Sequence, residues 1–129
     1  MSQTADSQSP MPVRTAAFAA ALGAWILWSG VILTGTGLII ANNFVVGGLI
    51  AFFAAYTAGW PNGGRLPAIV APALVVVFGL WTVAAPFVLG VTIDRVLWSN
   101  VISGVLVVLL AAGSVYGSWH LTQSSTTGV

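Results

Sequence analysis

Four long apolar runs dominate the chain, and short segments rich in glycine, proline and polar residues separate them. Each run lacks charged side chains and is close to the length of about 20 helical residues that crosses a hydrocarbon layer. The pattern therefore predicts four transmembrane helices. They are expected over residues 15–33, 42–58 (beginning at Asn42 or Asn43), 67–89 and 99–118.

Composition supports a membrane protein of all-α class. Apolar residues make up 58% of the chain and charged residues 4%, which is far outside the range of soluble domains. The runs lack the alternation of polar and apolar positions that a membrane barrel needs, so helices remain. We expect a four-helix transmembrane bundle.

Polar ends and turn-forming segments divide the chain. Residues 1–13 are predicted to be a disordered tail and residues 121–129 a flexible one. The membrane domain between them, residues 14–120, holds repeat one at about 15–58 and repeat two at about 67–118. Turn-forming residues at 34–37, 59–66 and 90–97 connect the helices.

The second half of the chain repeats the first. Residues 22–33 match residues 78–89, and residues 42–55 match residues 99–112, one residue further apart. The repeat predicts two tandem two-helix units that insert in the same direction. The most specific matches are Gly23 with Gly79, Trp25 with Trp81, Asn43 with Asn100, and Gly47 with Gly104.

Several residues are candidates for packing or binding. Asn43 and Asn100 are expected to cap helices or bond between helices, with a ligand-facing role as the alternative. Gly47, Ala51, Ala55 and Gly59 form a small-residue stripe, and Gly113 and Gly117 a GxxxG spacing. Trp25 and Trp81 are expected to pack across an internal symmetry axis; lining a cavity is the alternative.

The matched blocks also resemble a known family. Ser29-Gly30-Val31 and Ala85-Pro86-Phe87 occupy equivalent places and are similar to the Ser-Pro-Trp signature of the SPW repeat family, although the first copy keeps only the serine and the second only the proline. Gly-x-Trp and Asn-x-x-x-Gly in both halves extend the resemblance over residues 22–112. It implies a small prokaryotic integral membrane protein whose repeat spans the bilayer twice, and it implies no particular activity.

Proline and charge give further expectations. Pro86 should bend or end its helix and free a carbonyl about four residues earlier, which a neighbouring hydroxyl or indole N–H could satisfy. Phe87 is read as an aromatic anchor, with a ligand-binding bend as the alternative. Asp94 and Arg95 are expected to be a solvated pair that contributes little.

The residues that are missing exclude several classes of function. The chain has no Cys, Lys or Glu, and no Asp, Arg or His lies within a predicted span, which argues against thiol chemistry, Schiff-base cofactors and ion-coupled carriers. Three arginines form no nucleic-acid patch. His120 is expected to be interfacial rather than a metal or haem ligand, so no cofactor is predicted.

These observations predict a non-enzymatic structural or accessory protein of the cell membrane, binding the bilayer and either copies of itself or a larger membrane complex. An oligomeric channel or permease for a small solute is the alternative. Arg14 and Arg65 fall on one side, and Arg95, partly offset by Asp94, on the other. Because cations favour the cytoplasmic side, both termini are expected there.

Overall fold

The structure, a computed structural model, describes residues 11–60 and 64–127, with side chains described for residues 13–60 and 64–117. This part of the chain is made of helices and turns, and the fold is the all-α four-helix bundle that the sequence predicted. The helices are α1 (Met11–Ile32), α2 (Leu38–Gly59), α3 (Val70–Val88) and α4 (Asp94–Thr127). All four are long and apolar enough to cross a membrane.

The helices form a closed ring. α1 packs against α2 and α4, and α3 packs against the same two helices. The turns at 33–37 and 89–93 lie at one end of the bundle, because each connects the end of one helix to the start of its antiparallel neighbour. The beginning of α1, the connection from α2 to α3 and the later part of α4 lie at the other end. These two ends are called the turn end and the terminal end below.

Helix starts differ from the predicted ones: α2 and α4 begin earlier than expected, and α3 begins later. α2 begins at Leu38 after Gly37, whose φ of 71° favours glycine, and α4 begins at Asp94. Asn43 and Asn100 therefore lie in the second turn of their helices, and the predicted capping role is wrong. α3 begins three residues after Pro67.

The chain ends also carry more helix than expected. α1 starts at Met11, inside the predicted tail of residues 1–13, and α4 continues to Thr127, through most of the predicted tail of residues 121–129. Residues 1–10, 61–63 and 128–129, on which parts of the tail and turn predictions fall, lie outside the described residues.

Matched positions of the two halves form the core. The larger buried cluster includes Ala19 with its match Val75, Ile50 with Val107, and Ala54 with Ala111. A smaller cluster at the turn end contains Ile39 and its match Val96. Large apolar side chains on the outside, among them Phe18, Phe44, Phe52 and Leu109, are more than half exposed, as lipid contact would require.

Glycines set the spacing within each hairpin. A Cβ atom placed on Gly47 would lie 2.7 Å from the carbonyl oxygen of Gly23, and one placed on Gly104 would lie 2.9 Å from that of Gly79. Only glycine allows these backbones to approach so closely. Ala51 continues the contact with Gly23, but Ala55 and Gly59 are exposed, so the predicted four-residue stripe packs only in its first half.

Candidate functional site

A pair of asparagines lies at the centre of the bundle. Asn43 Nδ2 donates to Asn100 Oδ1 over 2.7 Å, and Asn100 Nδ2 donates back to Asn43 Oδ1 over 3.0 Å. Both side chains are buried, with exposed fractions of 0% and 1%. The sequence prediction of an interhelical hydrogen bond is confirmed, and it joins α2 of the first hairpin to α4 of the second.

Helix α1 completes the bonding of Asn43. The side-chain amide of Asn43 also donates to Ser29 Oγ on α1 over 3.2 Å, and the Ser29 hydroxyl in turn donates to the carbonyl of Ile26 over 2.9 Å. Asn42 Nδ2 donates to the Oδ1 atom of Asn43 over 3.2 Å. Both hydrogens and both lone-pair sites of the Asn43 amide are therefore used inside the protein.

Helix α3 serves Asn100 in a different way. Pro86 has no N–H, so the carbonyl four residues earlier, that of Thr82, has no backbone donor in its helix. Asn100 Nδ2 donates to this carbonyl over 3.4 Å. The sequence predicted that a freed carbonyl would find a side-chain donor; the donor is an amide on α4 rather than a hydroxyl or an indole.

The two tryptophans of the repeat make matched bonds between the hairpins. Trp25 Nε1 on α1 donates to Ser99 Oγ on α4 over 3.0 Å, and Trp81 Nε1 on α3 donates to Asn42 Oδ1 on α2 over 2.7 Å. Ser99 and Asn42 are themselves matched positions. The sequence predicted packing of these tryptophans across the symmetry axis. Each one bonds to the other hairpin, and because each is 37% exposed, it does so at the outer edge of the helix pairs.

Comparison with known proteins identifies the family. The model of the SPW repeat domain matches residues 13–114. The chain belongs to the SPW repeat family. No curated protein and no solved structure matches it.

The two retained residues of the SPW signature each contribute to the hydrogen bonding of the asparagine pair. Ser29 presents an acceptor to Asn43, and Pro86 exposes one to Asn100. Ala85, which matches Ser29, is fully buried but has no hydroxyl to offer. In this chain, the retained serine of one copy and the retained proline of the other therefore supply acceptors to opposite halves of the same pair.

Each signature triplet also lies where its helix ends. Gly35 N donates to the carbonyl of Gly30 over 2.7 Å, and Val91 N donates to that of Pro86 over 2.8 Å, at matched positions. The helix carrying Pro86 thus ends two residues after it, at Val88. Phe87 is 63% exposed at this end of α3, where an aromatic anchor would meet the membrane surface.

Arg95 is exposed, as the sequence predicted, but its guanidinium also bonds the turn of the first hairpin. Its Nε atom donates to the carbonyl of Leu33 over 2.6 Å, and its terminal nitrogen bonds the Thr34 hydroxyl. Thr34 has a φ of 55°, a conformation that side chains other than glycine rarely adopt. The guanidinium of the second hairpin therefore holds the strained turn of the first.

The axis of the bundle is closed toward the terminal end. Four pairs of matched residues meet there, and the space between them has no room for a water molecule. One pair is hydroxylic: Thr57 donates to the Phe53 carbonyl, and Ser114 donates to the Leu110 carbonyl. The remaining pairs are Ala16 with Pro72, Ala19 with Val75, and Ala54 with Ala111.

Some contributing residues escaped the sequence analysis. Thr82 and Ser99 were not candidates, and Asn42 was considered only as a possible helix start, because their roles depend on which helices become neighbours. Among the described residues, no group of three His, Asp or Glu side chains could hold a metal ion. The side chain of His120 lies outside the described residues.

Proposed function

We propose that this SPW repeat protein is a non-enzymatic structural or accessory unit of the cell membrane that assembles with copies of itself or with a larger membrane complex. The reciprocal Asn43–Asn100 bond carries the proposal. The polar groups at the bundle centre bond one another, so they serve the protein's own packing rather than a substrate. A catalytic site would require reactive groups that converge, and the described residues at the bundle centre do not provide them.

The outer surface supports an assembly role. Helices in lipid associate through close packing rather than through water exclusion, so a rigid apolar exterior can bind another membrane protein without a polar site. Trp28 and Phe44 form such an exterior patch, with ring centroids 6.1 Å apart and side chains 54% and 52% exposed.

Assembly is tested by expressing two differently tagged full-length copies in one cell and purifying one tag in mild detergent. We expect the second tag, or a reproducible membrane partner identified by mass spectrometry, to copurify. As a control for association in detergent, the two tagged copies are expressed in separate cells, and their membranes are mixed after solubilisation. A chain that elutes alone from the co-expressing cells would overturn the proposal.

Orientation is part of the same proposal. Arg14 and Arg65 belong to the terminal end, whereas the turn end has Arg95 alone, and its charge is partly offset by the neighbouring Asp94. The positive-inside tendency therefore favours both termini in the cytoplasm, with the two hairpins inserted in the same direction. Reporter fusions at each terminus test this, and fusions that report opposite sides of the membrane would contradict it.

An oligomeric channel or permease for a small solute is the alternative. It has less support, because the polar centre is used internally and the axis toward the terminal end is sealed, so a pore would have to form between copies. Liposome flux assays decide the question. A flux that is lost in Asn43→Leu or Asn100→Leu but kept in Val45→Leu would favour the channel over the structural role.

A further inference from the structure

A groove lies between α1 and α4, at the surface that the internal repeat matches to the α2–α3 surface. Its volume is about 580 Å³, within the usual range of small-molecule pockets of about 300–1,000 Å³. The lining is wholly apolar and lies within two candidate membrane spans. The residues that form it are Phe18, Ala21, Leu22, Leu106, Leu109 and Leu110.

Aromatic residues fill the matched surface between α2 and α3. Phe78 stands where α1 has Leu22, and Phe53 stands where α4 has Leu110. The two rings stack with centroids 6.1 Å apart, and Phe52, the match of Leu109, packs edge-on against Phe53 at 5.1 Å. The duplicated fold therefore accommodates a filled surface at this position, and smaller side chains leave it open between α1 and α4.

Polar contacts between α1 and α4 flank the groove. Toward the turn end, Trp25 donates to Ser99 over 3.0 Å. Toward the terminal end, the hydroxyls of Thr15 and Ser114 are 2.7 Å apart. Because both contacts fix the separation of the two helices, the helices are not free to close over the space between them.

A cation lies beyond the terminal end of the groove. Arg14 is exposed and precedes Phe18 by four residues, which places both on one face of α1, about 6 Å apart along the helix axis. The matching position in the second half is the uncharged Val70, so the internal repeat places no equivalent cation on α3. A guanidinium at the membrane surface suits a phosphate group.

We propose that the α1–α4 groove binds a phospholipid, with an acyl chain against Leu22 and Leu110 and the phosphate at Arg14. The apolar lining recognises the chain, and the charge of Arg14 complements the anionic headgroup. A second copy of the protein would fill the groove but would leave the Arg14 charge at its edge without a complement. The proposal is independent of whether the protein assembles with partners.

Native mass spectrometry of the delipidated full-length protein, titrated with phosphatidylglycerol, tests the site. Leu22→Phe combined with Leu110→Phe reproduces the aromatic filling of the opposite surface, and we expect it to weaken binding at least about tenfold by excluding several methylene groups. Leu80→Phe combined with Val45→Phe, at exposed positions elsewhere, should bind as the unmodified protein does. Ala21→Phe fills the groove from an exposed position and replaces the double variant if that variant fails to fold.

The headgroup is tested separately. Arg14→Gln should weaken phosphatidylglycerol binding about tenfold through loss of a charge-assisted contact, whereas Arg65→Gln should not. A diacylglycerol with the same chains should bind the unmodified protein about as weakly as phosphatidylglycerol binds Arg14→Gln. Phosphatidylglycerol binding that is unchanged in the filled variants would overturn the proposal. So would a protein dimer that replaces the lipid adduct and disappears when the groove is filled.

Discussion

Asn43 and Asn100 exchange two hydrogen bonds, of 2.7 and 3.0 Å, at a point to which all four helices contribute. α2 and α4 carry the pair itself, α1 adds the Ser29 hydroxyl, and α3 adds the Thr82 carbonyl. In an apolar interior an unpaired amide is costly, so this arrangement favours one register of the two hairpins over others.

The first prediction concerns this pair. Asn43→Leu or Asn100→Leu alone should lower the free energy of unfolding in mixed micelles by about 1–2 kcal/mol, because the remaining amide is left partly unpaired. The double variant should be more stable than the sum of the two losses predicts, since replacing both partners removes the unpaired group. Strictly additive losses would show that the amides do not stabilise each other.

The second prediction separates two equally buried hydroxyls. Ser29→Ala removes an acceptor of the Asn43 amide and should cost about 1 kcal/mol of unfolding free energy. Thr82→Val keeps the side-chain shape and removes only a hydroxyl that donates to the Phe78 carbonyl of its own helix, so we expect a change within about 0.5 kcal/mol. The same micelle unfolding measurement compares them, and equal losses would contradict the role given to Ser29.

The third prediction uses two adjacent glycines. Gly47→Ala should destabilise the protein by about 1–3 kcal/mol, because its methyl group would overlap the backbone of α1 at Gly23 and Leu27. At Gly48 the nearest atom is the Leu27 Cδ1 atom at 3.5 Å, so Gly48→Ala should be neutral or stabilising by up to about 1 kcal/mol. Thermal unfolding in detergent gives the order of the two variants. A Gly47→Ala protein as stable as Gly48→Ala would show that α1 and α2 do not approach so closely.

The fourth prediction concerns the strained turn. Arg95→Ala removes the donors to Leu33 and Thr34, so amide hydrogen exchange in residues 34–37 should become faster while the centres of the helices stay protected. Arg65→Ala, at the other end of the bundle, is the control. Unchanged exchange at 34–37 would mean that Arg95 does not hold the turn.

The sequence was sufficient to predict the number of helices, the duplication and the family. Uncharged runs of membrane-spanning length leave few alternatives, and matched tryptophans and asparagines are uncommon in so apolar a chain. The residues at which the helices start could be predicted less well. Asparagine favours both helix caps and buried pairs, and only the position of Leu38–Ala41 inside α2 decides between them.

The polar network could be predicted only in part. Proline chemistry predicts a freed carbonyl near Pro86, which is that of Thr82. Its donor, Asn100, lies 18 residues after Thr82, and the contact depends on how α3 and α4 pack. The role of Arg95 depends similarly on a residue 62 positions earlier, Leu33. The predicted small-residue stripe was too long, because residue spacing alone does not reveal that Ala55 and Gly59 are exposed.

The central claim is that two matched hairpins of one chain close into a single four-helix bundle. The chain has no native cysteine, so Thr15→Cys combined with Ser114→Cys places one thiol in each hairpin at positions whose hydroxyls are 2.7 Å apart. In native membranes under mild oxidation, with a protease site added to the connection between α2 and α3, we predict that the cleaved halves stay together until a reductant separates them. Halves that separate without reductant, or a disulfide-linked species of twice the mass, would contradict the claim.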